Sequence, residues 1–170
     1  MIPESLAQQV GALLRGRHLT FATAESCTGG LVGDLITSVP GSSEYYLGGV
    51  VAYAYEAKTE LLGISQEFLL AHGAVSEETA RAMARGIRER LHADIAVGIT
   101  GILGPGGGLP NKPVGLVYIA LLAPDADWLR HFIWKGARLD NKQSSANAAL
   151  QMVREYLENN EPISNEPMNQ

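Results

Sequence analysis

The sequence predicts an α/β fold, an α/β/α sandwich on a mixed sheet of about five strands. Two observations carry this expectation. Short apolar runs of strand length alternate with segments of helical periodicity through the first two-thirds of the chain. Two strand-like runs joined by a tight polar connection then precede a closing helix. A third observation sets the scale: 170 residues with 46% hydrophobic content suit a single domain with a real core. We read residues 1–158 as that domain and 159–170 as a disordered tail, on the Asn, Glu and Pro content from Glu158 onward.

Taken in order, Leu6, Val10, Leu13 and Leu14 recur at helical spacing between Pro3 and Arg17 and predict an amphipathic helix. Leu19 to Ala22 reads as the first strand. Leu31, Val32, Leu35 and Ile36 carry a helix over Leu31 to Thr37, stopped by Val39-Pro40-Gly41. Gly48 to Tyr55 reads as the second strand and runs into a short helix from Glu56 to Leu62. Ser65 to His72 is a further short helix ended by Gly73. Ser76 caps the most regular helix, with Glu77 and Glu78 in its first turn and Ala80, Met83, Ala84, Ile87 and Leu91 as its apolar face. Asp94 to Thr100 has the composition of a strand buried on both faces. Beyond the glycine- and proline-rich stretch Gly101 to Pro113, the runs Val114 to Leu122 and Trp128 to Lys135 form an antiparallel hairpin. Asp140 to Leu157 closes the fold as a helix.

Charge and composition exclude several function classes. A net charge of −5 and a pI near 5.3 lack the positive field that nucleic-acid or anionic-membrane partners require. Cys27, the one cysteine, allows no intramolecular disulfide, and the cytoplasm is the default compartment. The N-terminus does not read as a cleavable export signal, and the longest apolar run, around Val114 to Ala123, is too short for a membrane span. No metal signature is present: there is no His-Glu-x-x-His, cysteine pair or tight carboxylate cluster.

The stretch Thr23-Ala24-Glu25-Ser26-Cys27-Thr28-Gly29-Gly30 lies at a strand-to-helix junction, where unpaired backbone N–H groups suit an anion or a developing oxyanion. Ser26 is the candidate nucleophile, and Thr28, Gly29 and Gly30 candidate binding groups. On the local pattern alone, ordinary N-capping and loop punctuation are the commoner explanation of the same residues. A serine needs a base, and Lys58 qualifies if burial keeps its amine neutral. The four histidines lie away from the ends of the parallel strands. Tyr53 and Tyr55 are expected to alternate across the second strand, with Tyr53 bridging hydroxyl and amine. Thr100, at the end of the third strand, is placed to orient substrate or lysine. The loop Gly101-Ile102-Leu103-Gly104-Pro105-Gly106-Gly107-Gly108 can cradle a phosphate or carboxylate with its N–H groups, Gly104, Gly106 and Gly107 among them. It fits neither a dinucleotide fingerprint nor a Walker A loop. Arg138 and Lys142, just before and at the start of the last helix, are four apart and can share a phosphate.

Taken with Tyr53 to Lys58, Gly73-Ala74-Val75-Ser76, Gly98-Ile99-Thr100-Gly101-Ile102, Gly104-Pro105-Gly106-Gly107 and Lys112-Pro113-Val114-Gly115-Leu116-Val117-Tyr118, the Thr23 to Gly30 stretch resembles the CinA C-terminal domain family, from about Glu4 to Leu157. Several members of that family are nicotinamide-nucleotide amidases. The resemblance implies a three-layer α/β/α fold with a mixed, mainly parallel five-stranded sheet. It further implies hydrolysis of nicotinamide mononucleotide to nicotinate mononucleotide and ammonia in pyridine nucleotide salvage, with no cofactor. Ser26 matches the family's proposed nucleophile, Lys58 its base, and Tyr53 and Thr100 residues around them. A homo-oligomer, with a dimer favoured, is also implied. Members occur alone or fused behind a molybdopterin-binding-like domain, and the stand-alone form is the expectation here. The chain departs from the family pattern at Tyr55, Leu103, Ala137 and Lys142, which points to an altered pocket. Two other readings compete: Cys27 as nucleophile, since a thiol at a helix start can have a lowered pKa, and a non-catalytic nucleotide-binding or scaffold domain.

Overall fold

The computed structural model describes residues 3–159. Six α-helices and five strands follow one another as α1 (Leu6–Arg17), β1 (Phe21–Glu25), α2 (Leu31–Thr37), β2 (Tyr46–Val51), α3 (Tyr55–Leu62), α4 (Gln66–His72), α5 (Glu77–Leu91), β3 (Ile95–Gly101), β4 (Leu116–Ala123), β5 (Ala126–Ile133) and α6 (Arg138–Asn159), with a 3₁₀ turn at Ser42–Glu44. The strands form one sheet in the order β2-β1-β3-β4-β5. β1 pairs parallel with both β2 and β3, whereas β4 is antiparallel to β3 and to β5. Only β4 therefore runs against the others, and the expected mixed, mainly parallel sheet is the one observed.

Strand alternation divides the side chains between two faces of different texture. Phe21, Ile95, Val97, Ile99, Val117, Ile119 and Leu121 point to the face covered by α1, α2 and α6 and form the main core. The other face carries Ala22, Ala24 and Ala96, and there Leu62, Leu69, Met83 and Ile87 of α3, α4 and α5 supply the bulk. Small residues let α5 lie close to the sheet. A Cβ on Gly98 would come within 2.3 Å of the Ala80 carbonyl oxygen, so helix and strand touch through backbone at that point.

Several sequence boundaries shift, three of them for a pairing reason. The first strand is Phe21–Glu25 rather than Leu19 to Ala22, because the register continues through Glu25 opposite Ile99 and Val51. β2 stops at Val51, where its only neighbour β1 ends, so Tyr53 and Tyr55 do not alternate across a strand. In the hairpin, Ala123 pairs with Ala126, which leaves Pro124-Asp125 as the turn and starts β5 two residues before Trp128. The last helix begins at Arg138 and runs to Asn159, so one residue of the expected tail is helical and 160–170 lie outside the described residues. No helix among the described residues is long and apolar enough to cross a membrane.

After β1 the chain crosses to β2 on one side of it, and returns to β3 on the other. The C-terminal ends of β1 and β3 thus flank a change of direction in strand order, the position where open α/β sheets hold ligands. Ser26, Lys58 and Thr100 all lie at this end.

Candidate active site

Ser26 directly follows β1, and its N–H donates to the Ile99 carbonyl of β3 at 3.0 Å, so sheet pairing fixes the backbone that bears the hydroxyl. The turn that follows is held from behind by Glu25. Its carboxylate is 1% exposed and accepts from the Thr28 hydroxyl (2.7 Å) and from the N–H groups of Val32 (2.9 Å) and Gly33 (3.1 Å). Glu25 thereby occupies the positive start of α2 in place of an N-cap side chain. The Gly29 N–H goes to the Ser26 carbonyl at 3.1 Å. Within the expected oxyanion stretch, the N–H groups of Cys27 and Thr28 make no backbone pairing among the described residues and bear instead on the Cys27 sulfur.

Lys58 sits on the buried side of α3, 1% exposed. Its Nζ lies 3.0 Å from Ser26 Oγ, 2.9 Å from the Ala52 carbonyl and 3.0 Å from the Tyr53 carbonyl. No carboxylate forms an ion pair with it among the described residues. Burial without a counter-ion pushes the amine's pKa down, opposed only by the field of Cys27. In its neutral form the amine has two N–H donors, which the two carbonyls would accept, and one lone pair, which would then face the Ser26 hydroxyl and could take its proton.

Cys27 has the opposite disposition. It is 8% exposed, packed in the main core, and burial pushes its thiol up to about 12, with Glu25 adding to the effect. Cys27 also borders the cavity in front of Ser26 and Lys58, but a thiol that stays protonated is a poor nucleophile, which favours Ser26 over Cys27 as the attacking group.

A cavity of about 320 Å³ opens in front of the pair, within the size range of small-molecule sites. Ser26, Lys58, Tyr53, Thr100, Gly104, Gly106, Gly107 and Arg138 line it, together with the Ala74-Val75 backbone region between α4 and α5. Two of these act differently from expectation. Tyr53 is 61% exposed and holds Lys58 through its carbonyl, while its hydroxyl accepts from Arg138 Nη2 at 3.3 Å; it does not bridge serine and lysine. Thr100 donates its hydroxyl to the Ala74 carbonyl at 2.6 Å, so it ties the α4–α5 loop to the sheet and makes no hydrogen bond to Lys58.

Thr28, Gly29, Gly30 and Lys142 lie outside this cavity. The Thr28 side chain is spent on Glu25. Gly29 and Gly30, with φ of +61° and +97°, serve the turn into α2. Lys142 stands beside Gly29, on which a Cβ would be 3.3 Å from Nζ, while Arg138 reaches the Gly104 carbonyl at 2.8 Å. Of the family departures, Leu103 packs into the main core and also lines the cavity, whereas Tyr55 lines a separate depression with Glu56, Thr59, Glu60 and Gln66.

Sequence reasoning missed Glu25 and Asn141. A lone acid ending an apolar strand just before a helix is a legible signal of a remote helix cap; a single Asn in a helix's first turns carries none. Among the described residues, no group of three or more His, Cys, Asp or Glu side chains could hold a metal ion.

Comparison with known proteins agrees with this architecture. The model of the CinA C-terminal domain matches residues 3–157. A CinA-like protein of Desulfotalea psychrophila is 47% identical over 154 residues, covering 91% of this chain and 37% of that protein. Another, from Chloroherpeton thalassium, is 49% identical over 156 residues, covering 89% of this chain and 37% of that protein. The chain thus spans little more than a third of these curated relatives. Among solved structures, the competence/damage inducible protein CihA from Agrobacterium tumefaciens superposes with a TM-score of 0.82 at 36% identity, covering 93% of this chain and 98% of that one. The competence damage-inducible protein A (ComA) from Klebsiella pneumoniae gives 0.88 at 31% identity, covering 92% and 97%. With this match over nearly all of the described residues, the chain belongs to the CinA C-terminal domain family.

Proposed function

We propose that this domain is a metal-independent amidohydrolase that converts nicotinamide mononucleotide to nicotinate mononucleotide and ammonia through a Ser26 acyl-enzyme. The observation that carries the reading is the buried Lys58 amine, 3.0 Å from Ser26 Oγ, with both of its remaining contacts on carbonyl oxygens. Lys58 takes the Ser26 proton as Oγ bonds to the carboxamide carbon. The resulting oxyanion is held by the N–H groups of Cys27 and Thr28, a contribution on the order of 3 kcal/mol per donor in other hydrolases. The Lys58 ammonium then protonates the departing nitrogen, the C–N bond breaks and ammonia leaves. Water, deprotonated by Lys58, attacks the ester carbon; the C–Oγ bond breaks and Ser26 regains its proton. The phosphate is assigned to Arg138, two of whose five N–H donors are engaged by Gly104 and Tyr53, and to the amides of Gly106 and Gly107.

Ammonia release from nicotinamide mononucleotide by the purified protein, with Ser26→Ala and Lys58→Ala alongside and chelator present, tests the reading. Release by wild type that is indifferent to chelator and lost in both folded variants supports it. No release by folded wild type refutes this substrate assignment, and thermal stabilisation by an unconsumed nucleotide then favours the binding-module reading.

A further inference from the structure

Asn141 is 1% exposed, in the first turns of α6, and none of its side-chain contacts reaches the Ser26–Lys58 pair. Its Nδ2 donates to the Leu103 carbonyl at 3.0 Å, and its Oδ1 accepts from the Gly136 N–H at 3.0 Å. Behind it, its own carbonyl accepts the Ser145 hydroxyl at 2.7 Å, and that hydroxyl takes the Trp134 indole N–H at 3.0 Å. Arg138, one turn earlier, donates to the next carbonyl of the same loop, that of Gly104. Two successive carbonyls of the cavity wall are therefore clamped by one helix start. The two clamps differ in kind: Arg138 is exposed and faces the cavity, whereas Asn141 is buried, with one hydrogen bond at each polar atom of its side chain.

We propose that Asn141 is a positioning residue that sets the Leu103–Gly107 wall for the part of the substrate remote from the scissile amide. This rests on the amidase reading of the same cavity. A glycine-dense segment has little stiffness of its own, and orientation of its amides toward a ligand has to come from outside contacts. The Leu103 carbonyl held by a buried side-chain amide is such a contact. Because the clamp bears on the loop and not on Ser26, it governs affinity rather than the reactivity of the serine.

The test uses Asn141→Asp, which keeps the acceptor for Gly136 but replaces the donor to Leu103 with a second acceptor, and Asn141→Ala, which removes both. Two quantities are read: the dissociation constant of nicotinamide mononucleotide by calorimetry on a Ser26→Ala background, and the rate at which a small serine-directed phosphonofluoridate labels Ser26 on the native background. The expected result is an affinity weaker by about tenfold, with labelling within about twofold of wild type. In the hydrolysis assay the same change appears as a raised KM with kcat nearly kept. Unchanged affinity, or loss of labelling in both variants, overturns the inference, the latter because Asn141 would then serve the fold or the serine itself. Wild type that binds the nucleotide without releasing ammonia removes the amidase reading while the affinity comparison still decides the role of Asn141.

Discussion

Replacing Lys58 with methionine tests the chemistry most directly. Methionine approximates the length of the lysine stem and fills the buried position, yet offers no lone pair basic enough to take the Ser26 proton. A positioned general base contributes about 10²- to 10⁴-fold. With the base 3.0 Å from the hydroxyl and no histidine in the cavity to substitute, the expected loss in kcat lies toward the upper end of that range. Lys58→Arg separates two roles, because a guanidinium keeps the positive charge but cannot act as a base. It is expected to be as inactive as the methionine variant. The pH profile supplies a third constraint. Because burial lowers the Lys58 pKa, kcat/KM should rise about tenfold per pH unit below that pKa and level off above it. The same residue makes a prediction about stability. Between its lowered folded pKa and the ordinary lysine value of 10.5, the unfolded chain binds the extra proton, so wild-type stability rises with pH across that window. Denaturant titrations of Lys58→Met should lack this increment. A folded Lys58→Met or Lys58→Arg enzyme retaining a tenth or more of wild-type kcat would refute the general-base argument.

Glu25→Gln removes the charge at the start of α2 and at least one of three acceptor contacts, and is expected to cost about 1–3 kcal/mol in urea unfolding. Gly98→Ala drives a Cβ to 2.3 Å from the Ala80 oxygen and 2.6 Å from the Ala84 nitrogen, both backbone atoms. It should therefore lower stability by about 1–3 kcal/mol, read as a fall in Tm of several degrees. Thr100→Val cuts the link to the Ala74 carbonyl; activity should fall about tenfold with the pH midpoint unmoved, whereas a shifted midpoint would mean that Thr100 acts on Lys58 after all.

What the sequence made legible was local. α2 was bounded correctly at both ends because Gly-Gly precedes it and Val39-Pro40-Gly41 follows. Ser26 and Lys58 were legible because residues following parallel strands converge at one edge of such a sheet, whatever the details of packing. What escaped was long-range. β2 ends at Val51 because β1 ends opposite it, and nothing in Ala52-Tyr53-Ala54-Tyr55 marks that stop. The partner of the Thr100 hydroxyl lies 26 positions away and that of the Asn141 amide 38, so neither could follow from spacing. Arg138 and Lys142 are four residues apart, yet Arg138 meets the Gly104 carbonyl and Lys142 the turn at Gly29, contacts that their spacing alone does not give.

The contrast between Lys58 and Cys27 explains why the serine, and not the thiol next to it, is read as the nucleophile. Desolvation disfavours the charged form of every group, which makes a buried amine a better base and a buried thiol a weaker acid. Burial thus lowers the pKa of Lys58 while pushing Cys27 up to about 12. Position on the turn completes the distinction, since Ser26 Oγ meets the amine and Cys27 joins the core. The argument predicts an asymmetry. Iodoacetamide should leave native wild-type protein unmodified at neutral pH, while Ser26→Cys should take up one equivalent at the new thiol, because a thiol beside the Lys58 amine can hand over its proton. Adding Lys58→Met to that variant should slow the alkylation markedly. Mass spectrometry of the intact protein and of its Cys27 peptide decides the matter: stoichiometric modification of Cys27 in the folded wild type would mean that burial does not hold the thiol in reserve.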